Sequence, residues 1–262
     1  MMPVTSFLYW LNHASLWRRS VQVWGHRVRA ASLDRLLCLW LHRTGLMGRA
    51  DRRFLESHVT SGMTVVDIGA NVGLYSLLLA KLTAPGKVFA FEPEPQLFRV
   101  LAENTRHSGL ANLTLCNQAL GECDGRVCFY RSAFNSGDNR LGGLGWKGQG
   151  VEVEMTRLDA ALPEPRVDFI KMDVQGYEMG VLRGMEGVFE VSPRLSIYFE
   201  FWPAGLRAAG TDPEEPLDYL RHRGFRVYEI VGAALKPVAG FAALRERLVG
   251  SRYTNLFASR VG

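Results

Sequence analysis

The chain has 262 residues, 47% of them apolar, which suits one large domain with or without an appendage and rules out a mostly disordered polymer. Its net charge of +5 is concentrated at one end: residues 1–56 hold nine arginines against three acids, so the remainder is nearly neutral and lacks the charge of a nucleic-acid-binding body. Four cysteines (Cys38, Cys116, Cys123, Cys128) form no CxxC pair, which speaks against zinc, and no apolar run reaches 18 residues. With no secretory leader signature at its start, the sequence is expected to be cytoplasmic with reduced thiols.

Two domains are expected: a basic helical appendage over 1–56, and a catalytic domain over 57–262 with an insertion at about 125–156. In the appendage, Phe7, Trp10, Ala14, Trp17, Val21, Trp24 and Val28 recur at steps of three and four, one face of a helix. A second helical run, Leu33, Leu36, Leu37, Trp40 and Leu41, follows Ser32 as N-cap and stops near Gly45. These helices are expected to pack on the catalytic domain or on a twin subunit in a homodimer. The alternative is peripheral attachment to the inner membrane surface, with tryptophans at headgroup depth and arginines on anionic lipid.

Val65-Val66-Asp67-Ile68 then reads as a buried strand, Gly69-Ala70-Asn71-Val72-Gly73 as a turn, and Leu74-Tyr75-Ser76 as the entry to an apolar helix. This is the first strand–loop–helix of a doubly wound α/β sheet, whose ligands sit beyond the carboxyl ends of the strands. Glycines at 69 and 73 would admit a ligand close to the backbone. The dinucleotide pattern G-x-G-x-x-G is not met, because Ala70-Asn71 stands where its middle glycine belongs. A second strand, Lys87 to Phe91, ends on Glu92, placed to accept from a ribose diol. An acid beneath the turn, Asp67, suits a cationic or amine-bearing ligand better than a phosphate. S-adenosyl-L-methionine carries a ribose diol, an α-amine and a sulfonium, and no phosphate.

A helix is expected from Pro93 to Gly109, then a third strand over Leu113–Gly121. Asn117 at its polar tip is either an adenine contact or an ordinary strand-end residue. Arg126–Arg131 and Val151–Thr156 alternate apolar and polar residues like a hairpin, and the segment 135–150 between them, with six glycines, reads as a flap over substrate or cofactor. A fourth strand, Val167 to Met172, ends on Asp173 and turns through Gln175-Gly176 to Glu178. A fifth, Leu195 to Trp202, carries Glu200. Asp173 could accept a substrate proton or hold a divalent ion such as magnesium, with Glu178 and Glu200 behind it. A helix over Pro213–Arg223 and a final strand pair, Gly224–Ile230 and Thr254–Ala258, complete the sheet, and each histidine is expected at a surface or an element boundary.

Together the runs VVDIGANVGLYS, FAFEPEP, NSGDNRL, VDFIKMDVQGYEMGVLRG and EFWP, over roughly residues 60–232, resemble the FkbM family of S-adenosylmethionine-dependent methyltransferases. The resemblance implies a Rossmann-like seven-stranded sheet and methyl transfer to a hydroxyl of a small-molecule, sugar, glycan or natural-product acceptor. It maps Asp67, Gly69, Asn71, Gly73 and Glu92 onto cofactor positions and Asp173 and Glu178 onto an acidic turn; Tyr75, Ser76 and Asn117 are further cofactor candidates from their place in the chain. A nucleic-acid or other N-methyltransferase is the alternative, opposed by the neutral body and by DVQGYE where an N-P-P-Y turn would stand. A nicotinamide-dependent oxidoreductase is opposed by the missing glycine.

Overall fold

The computed structural model describes residues 20–131, 139–141, 149–232, 234–250 and 252–260. The first described element is a hairpin, β1 (Ser20–Val23) and β2 (His26–Arg29), and not the expected helix. Val21, Val23 and Val28 are buried while Gln22 and Arg27 face outward, so the alternation is that of a strand. Trp24 and Gly25 form the two-residue turn at φ 54 and 89, the positive φ pair that a tight hairpin needs. Trp24 packs edge-on against His42 and Tyr75, so this part of the lipid-facing stripe is internal; the part before residue 20 lies outside the described residues. His26 and His42 are likewise buried and not at the surface.

The helix Leu33–Thr44 starts after Ser32 and ends at Gly45, φ 74, as expected. Its buried side carries Leu36, Leu39 and His42, and Trp40 is exposed. A further helix, Arg49–His58, connects to the sheet and buries Phe54 and Leu55. No helix among the described residues is long and apolar enough to cross a membrane.

The main sheet contains β3 (Thr64–Ile68), β4 (Lys87–Phe91), β5 (Leu113–Cys116), β10 (Phe169–Met172), β11 (Ser196–Phe201), β12 (Arg226–Val231), β13 (Ala234–Pro237) and β14 (Thr254–Ser259). Their spatial order is β13-β12-β14-β11-β10-β3-β4-β5, so the sheet has eight strands and not seven. β5, β4, β3, β10 and β11 are parallel, and β14 runs antiparallel between β11 and β12. The extra strand β13 is exposed along its whole length, so it has no buried face to show in a hydrophobic pattern.

Both faces of the sheet are covered. Ile68, Phe91, Met172, Phe199 and Leu256 pack on one side, and Val65, Val88, Phe169, Tyr198 and Phe257 on the other. The third strand of the sequence reading is split in two. β5 stops at Cys116, and β6 (Ala119–Leu120) joins β7 (Gly125–Arg131), β8 (Arg140–Leu141) and β9 (Gln149–Thr156) in a separate four-stranded sheet, order β6-β9-β7-β8. β7 and β9 pair antiparallel as the expected hairpin, from Gly125↔Met155 to Arg131↔Gln149.

The turn after β3 is wedged against the turn after β10. Gly69 has φ 79, and a methyl group on it would lie 2.0 Å from the Asp173 carbonyl oxygen. One on Gly73 would strike Leu101 at 2.6 Å. The space beside both glycines therefore holds protein and not a ligand, which corrects the reason given for them above. Gly69→Ala should lower the unfolding free energy by about 2 kcal/mol or more, through strain at positive φ plus this overlap, as read by urea denaturation. An unchanged midpoint would mean that the two turns separate freely.

Candidate active site

The carboxyl ends of β3, β4, β10 and β11 bring Asp67, Glu92, Asp173 and Glu200 to one edge of the sheet. Asp67 and Lys171 are register partners on adjacent strands. The Lys171 Nζ lies 3.4 Å from Asp67 Oδ1 and 3.8 Å from Asp173 Oδ2, and it donates to the Gly69 carbonyl at 3.4 Å. Lys171 is 4% exposed and Asp67 not at all. Burial opposes the lysine's charge, but the carboxylates of Asp67, Asp173 and Glu200 outweigh it and hold its pKa above the ordinary value. Ser76 Oγ donates to Asp67 Oδ2 at 2.6 Å, and both side chains are wholly enclosed. Asp67 and Ser76 are therefore braced against each other beneath the loop.

Glu92 stands at the next strand end. Its Oε2 accepts from the Asn71 backbone N–H at 2.8 Å and its Oε1 from that of Glu94 at 2.9 Å. Asn71 sits at φ 55, and its side chain accepts from Val72 N–H. Asn117 donates to the Glu92 and Pro93 carbonyls at 2.8 and 3.1 Å, so its amide braces the loop that carries Glu92. Glu94 was not among the expected site residues. It caps the helix Pro95–Ser108 through Leu97 N–H and accepts from Arg131 of β7, tying the small sheet to this loop.

Gln175 organises the other half of the site. Held at φ 55, it donates from Nε2 to Asp173 Oδ1 at 2.7 Å and to Glu200 Oε1 at 2.9 Å, so one amide bridges two carboxyl groups. Burial first, then the neighbouring carboxylates of Asp173 and Glu178, push Glu200 up to about 9, which favours its protonated form at neutral pH. Glu178 is also buried, raised to about 7 mainly by burial, and accepts from the N–H of Gly176 in its own turn. Its Oε2 is enclosed without a hydrogen-bond partner among the described residues. The Asp173 side chain, by contrast, is 39% exposed and reaches the crevice.

Beneath these groups lies a second unexpected acid. Asp51, from the helix Arg49–His58, accepts from Tyr198 OH at 2.8 Å, Asn255 Nδ2 at 3.0 Å and Tyr75 OH at 3.3 Å. Burial and then Asp51 hold the Tyr75 phenol well above its ordinary pKa, and its ring lies 5.3 Å from Lys171 Nζ. Tyr75 thus ties Asp51 to the neighbourhood of Lys171. Of the expected flap, only Asn139–Leu141 and Gln149–Gly150 fall within the described residues; Arg140 is buried over the Trp202 ring at 4.6 Å. Among the described residues no three His, Cys, Asp or Glu side chains gather as a metal site.

The model for the methyltransferase FkbM domain matches residues 67–227. The methyltransferase sdnD of Sordaria araneosa is 27% identical over 189 residues, 58% of this chain and 71% of that protein. The 31-O-demethyl-FK506 methyltransferase FkbM of Streptomyces tacrolimicus is 29% identical over 170 residues, 52% of this chain and 65% of that one. The hexuronic acid methyltransferase AglP of Haloferax volcanii is 27% identical over 126 residues, 47% of this chain and 50% of its own. The chain thus spans between half and seven tenths of these relatives' lengths.

The raised Glu200 makes stability depend on pH. Its contribution is fully present below about 4.5, where folded and unfolded chains are both protonated, and is lost as pH rises through about 9. Urea midpoints of the wild type should fall between about pH 5 and pH 9, and Glu200→Gln should flatten that fall. Parallel profiles would show that Glu200 ionises as easily in the folded chain as in the unfolded one.

Proposed function

This chain belongs to the methyltransferase FkbM domain family, and from that premise we propose that it takes its methyl group from S-adenosyl-L-methionine and transfers it to a hydroxyl oxygen of a sugar or natural-product scaffold. The observation that carries the reading is the row of strand-end carboxyl groups with a single buried lysine. That set offers acceptors for hydroxyls and an amine and, among the described residues, no cluster of cations for a pyrophosphate. It fits a phosphate-free ligand with a diol and positive charge. When bound, the cofactor supplies a methyl group already activated on a sulfonium.

The work left to the protein is alignment and proton handling. Both Glu92 oxygens accept one backbone N–H each, which fixes the carboxylate at the strand end where a ribose diol would lie. The Gly69–Gly73 backbone would form the adjoining wall. Asp173 is the one acid of the group with substantial exposure, so it is the base for the acceptor's proton. Gln175 and Lys171 act as positioning residues, since both hold the Asp173 carboxylate without reaching the acceptor. Alignment of this kind supplies several kcal/mol of barrier lowering, about 7 in favourable cases. The names of two relatives, one a 31-O-demethyl-FK506 and one a hexuronic acid methyltransferase, support a hydroxylated acceptor.

Calorimetric titration should show S-adenosyl-L-methionine binding and no NAD binding, with Glu92→Ala weakening the former by about tenfold or more. NAD binding alone would overturn the cofactor assignment. With an acceptor found by screening glycosides and polyketide alcohols for S-adenosylhomocysteine release, Asp173→Asn should slow turnover by about a hundredfold or more and leave cofactor affinity within about threefold. Near-normal turnover would remove Asp173 as the base.

A further inference from the structure

A cavity of about 410 Å³, lined by Glu229, Arg247, Leu248, Arg252, Tyr253 and Thr254, opens at the same sheet edge as the crevice. Its volume is that of a small-molecule site. The strand register fixes its place: Thr254 pairs with Phe201 and Asn255 with Glu200, so Tyr253 stands just past the end of β11. Side chains alternate along β14, so Thr254 faces the cavity while Asn255 shares the face of Glu200, and Tyr253 forms the rim between them. Tyr253 is 56% exposed. Burial, followed by the carboxylates of Glu200, Asp51 and Asp173, holds its phenol above the ordinary pKa, which agrees with a rim position beside the acids.

The charge in the cavity is unbalanced. Arg247 and Glu229 neutralise one another through two hydrogen bonds of 2.9 and 2.7 Å, and Thr254 Oγ1 also donates to Glu229. The Arg247 bonds hold the Glu229 carboxyl below its usual range, so that pair stays ionised and closed on itself. Arg252 is exposed and makes no side-chain hydrogen bond or ion pair among the described residues. Lys236 stands opposite Glu229 in the register of β12 and β13 and adds a second positive charge to the field there. Among the lining residues the surplus is one positive charge, that of Arg252, next to a crevice rich in acids.

We propose that this cavity is the acceptor's anchoring subsite and that the acceptor is an anionic sugar, whose carboxylate or phosphate is held by Arg252 while a hydroxyl reaches Asp173. The proposal rests on the methyl-transfer reading for the second half of that statement only. Arg252 offers a planar fork of donors to an oxyanion, the Tyr253 ring offers an apolar wall for a pyranose, and Leu248 closes the floor. A neutral polyketide would leave the surplus charge unanswered.

The test titrates the full chain, with and without S-adenosylhomocysteine, with p-nitrophenyl β-D-glucuronide, glucose 6-phosphate and the neutral p-nitrophenyl β-D-glucoside. An anionic probe should bind about tenfold or more tightly than the neutral one, and Arg252→Gln, an exposed substitution, should abolish that difference without changing the melting temperature. Binding of the glucuronide alone identifies a sugar acid, and binding of glucose 6-phosphate a sugar phosphate. Equal binding of charged and neutral probes, or anionic binding untouched by Arg252→Gln, overturns the proposal. If S-adenosyl-L-methionine binds and no probe does, the subsite falls and methyl transfer stands; anionic binding without S-adenosyl-L-methionine binding gives the reverse.

Discussion

A buried ammonium holds the two halves of the site in register. Lys171 is enclosed between the Asp67 carboxylate under the first turn and the Asp173 carboxylate on the fourth, and it also donates to the Gly69 carbonyl of the loop between them. In a low-dielectric interior neither the Lys171 nor the Asp67 charge would persist alone, because each would lose several kcal/mol of hydration. Together they are compatible with burial, and removing one leaves the others uncompensated, at a cost of about 3–5 kcal/mol. The same pairing decides geometry. Lys171 and Asp67 are register partners, so a slip of one residue between β3 and β10 would turn one of the two charges into the opposite apolar layer and part it from the other.

The turns above this pair are held as tightly by backbone. Gly69 N–H and Ala70 N–H both reach the Phe91 carbonyl, and the Asp173 N–H reaches Ile68. The Asp173 carbonyl fills the space beside Gly69. The loop, the Glu92 carboxylate and the Asp173 turn therefore form one rigid body before any ligand arrives. Its lower support comes from outside the family-matched region: Asp51 joins Tyr75, Tyr198 and Asn255, four residues from distant parts of the chain. The basic N-terminal segment thus helps to build the site through one of its three acids.

Much of the fold was legible because burial imposes a period. The strands ending at Asp67, Glu92 and Asp173 are short apolar runs bounded by glycine or proline, and their order follows from the doubly wound pattern. The hairpin of β1 and β2 was misread because Val21, Trp24 and Val28 satisfy a helical spacing as well as a strand's. Gly25 in the middle was the discriminating residue, since it permits the tight turn. β13 was invisible for the opposite reason: an exposed edge strand has no apolar period. In the site, the acids were readable as strand-end residues, but their division of labour was not. Both Asp67 and Glu92 are buried, and what separates them is their partners: Ser76 and Lys171 for the first, the Asn71 and Glu94 N–H groups for the second, which the sequence does not carry. Gln175 was passed over because a glutamine in a turn is usually solvated, and only the fold places its amide between two carboxyl groups.

That division of labour follows from how few charges the interior tolerates. Three acids, Asp173, Glu178 and Glu200, crowd the turn after β10, and one lysine cannot balance them all. Burial resolves the conflict unequally, raising Glu178 to about 7 and Glu200 to about 9. Glu200 with its proton can sit beside Asp173 without repelling it, and the Gln175 amide satisfies an oxygen of each. The least buried acid, Asp173, is then the one left open to solvent. A site that needed a single base near a cationic ligand would gain nothing from three ionised carboxylates, which would repel one another and bind cations indiscriminately. Raised acids around one exposed carboxyl group keep the geometry of the cluster while lowering the charge it carries.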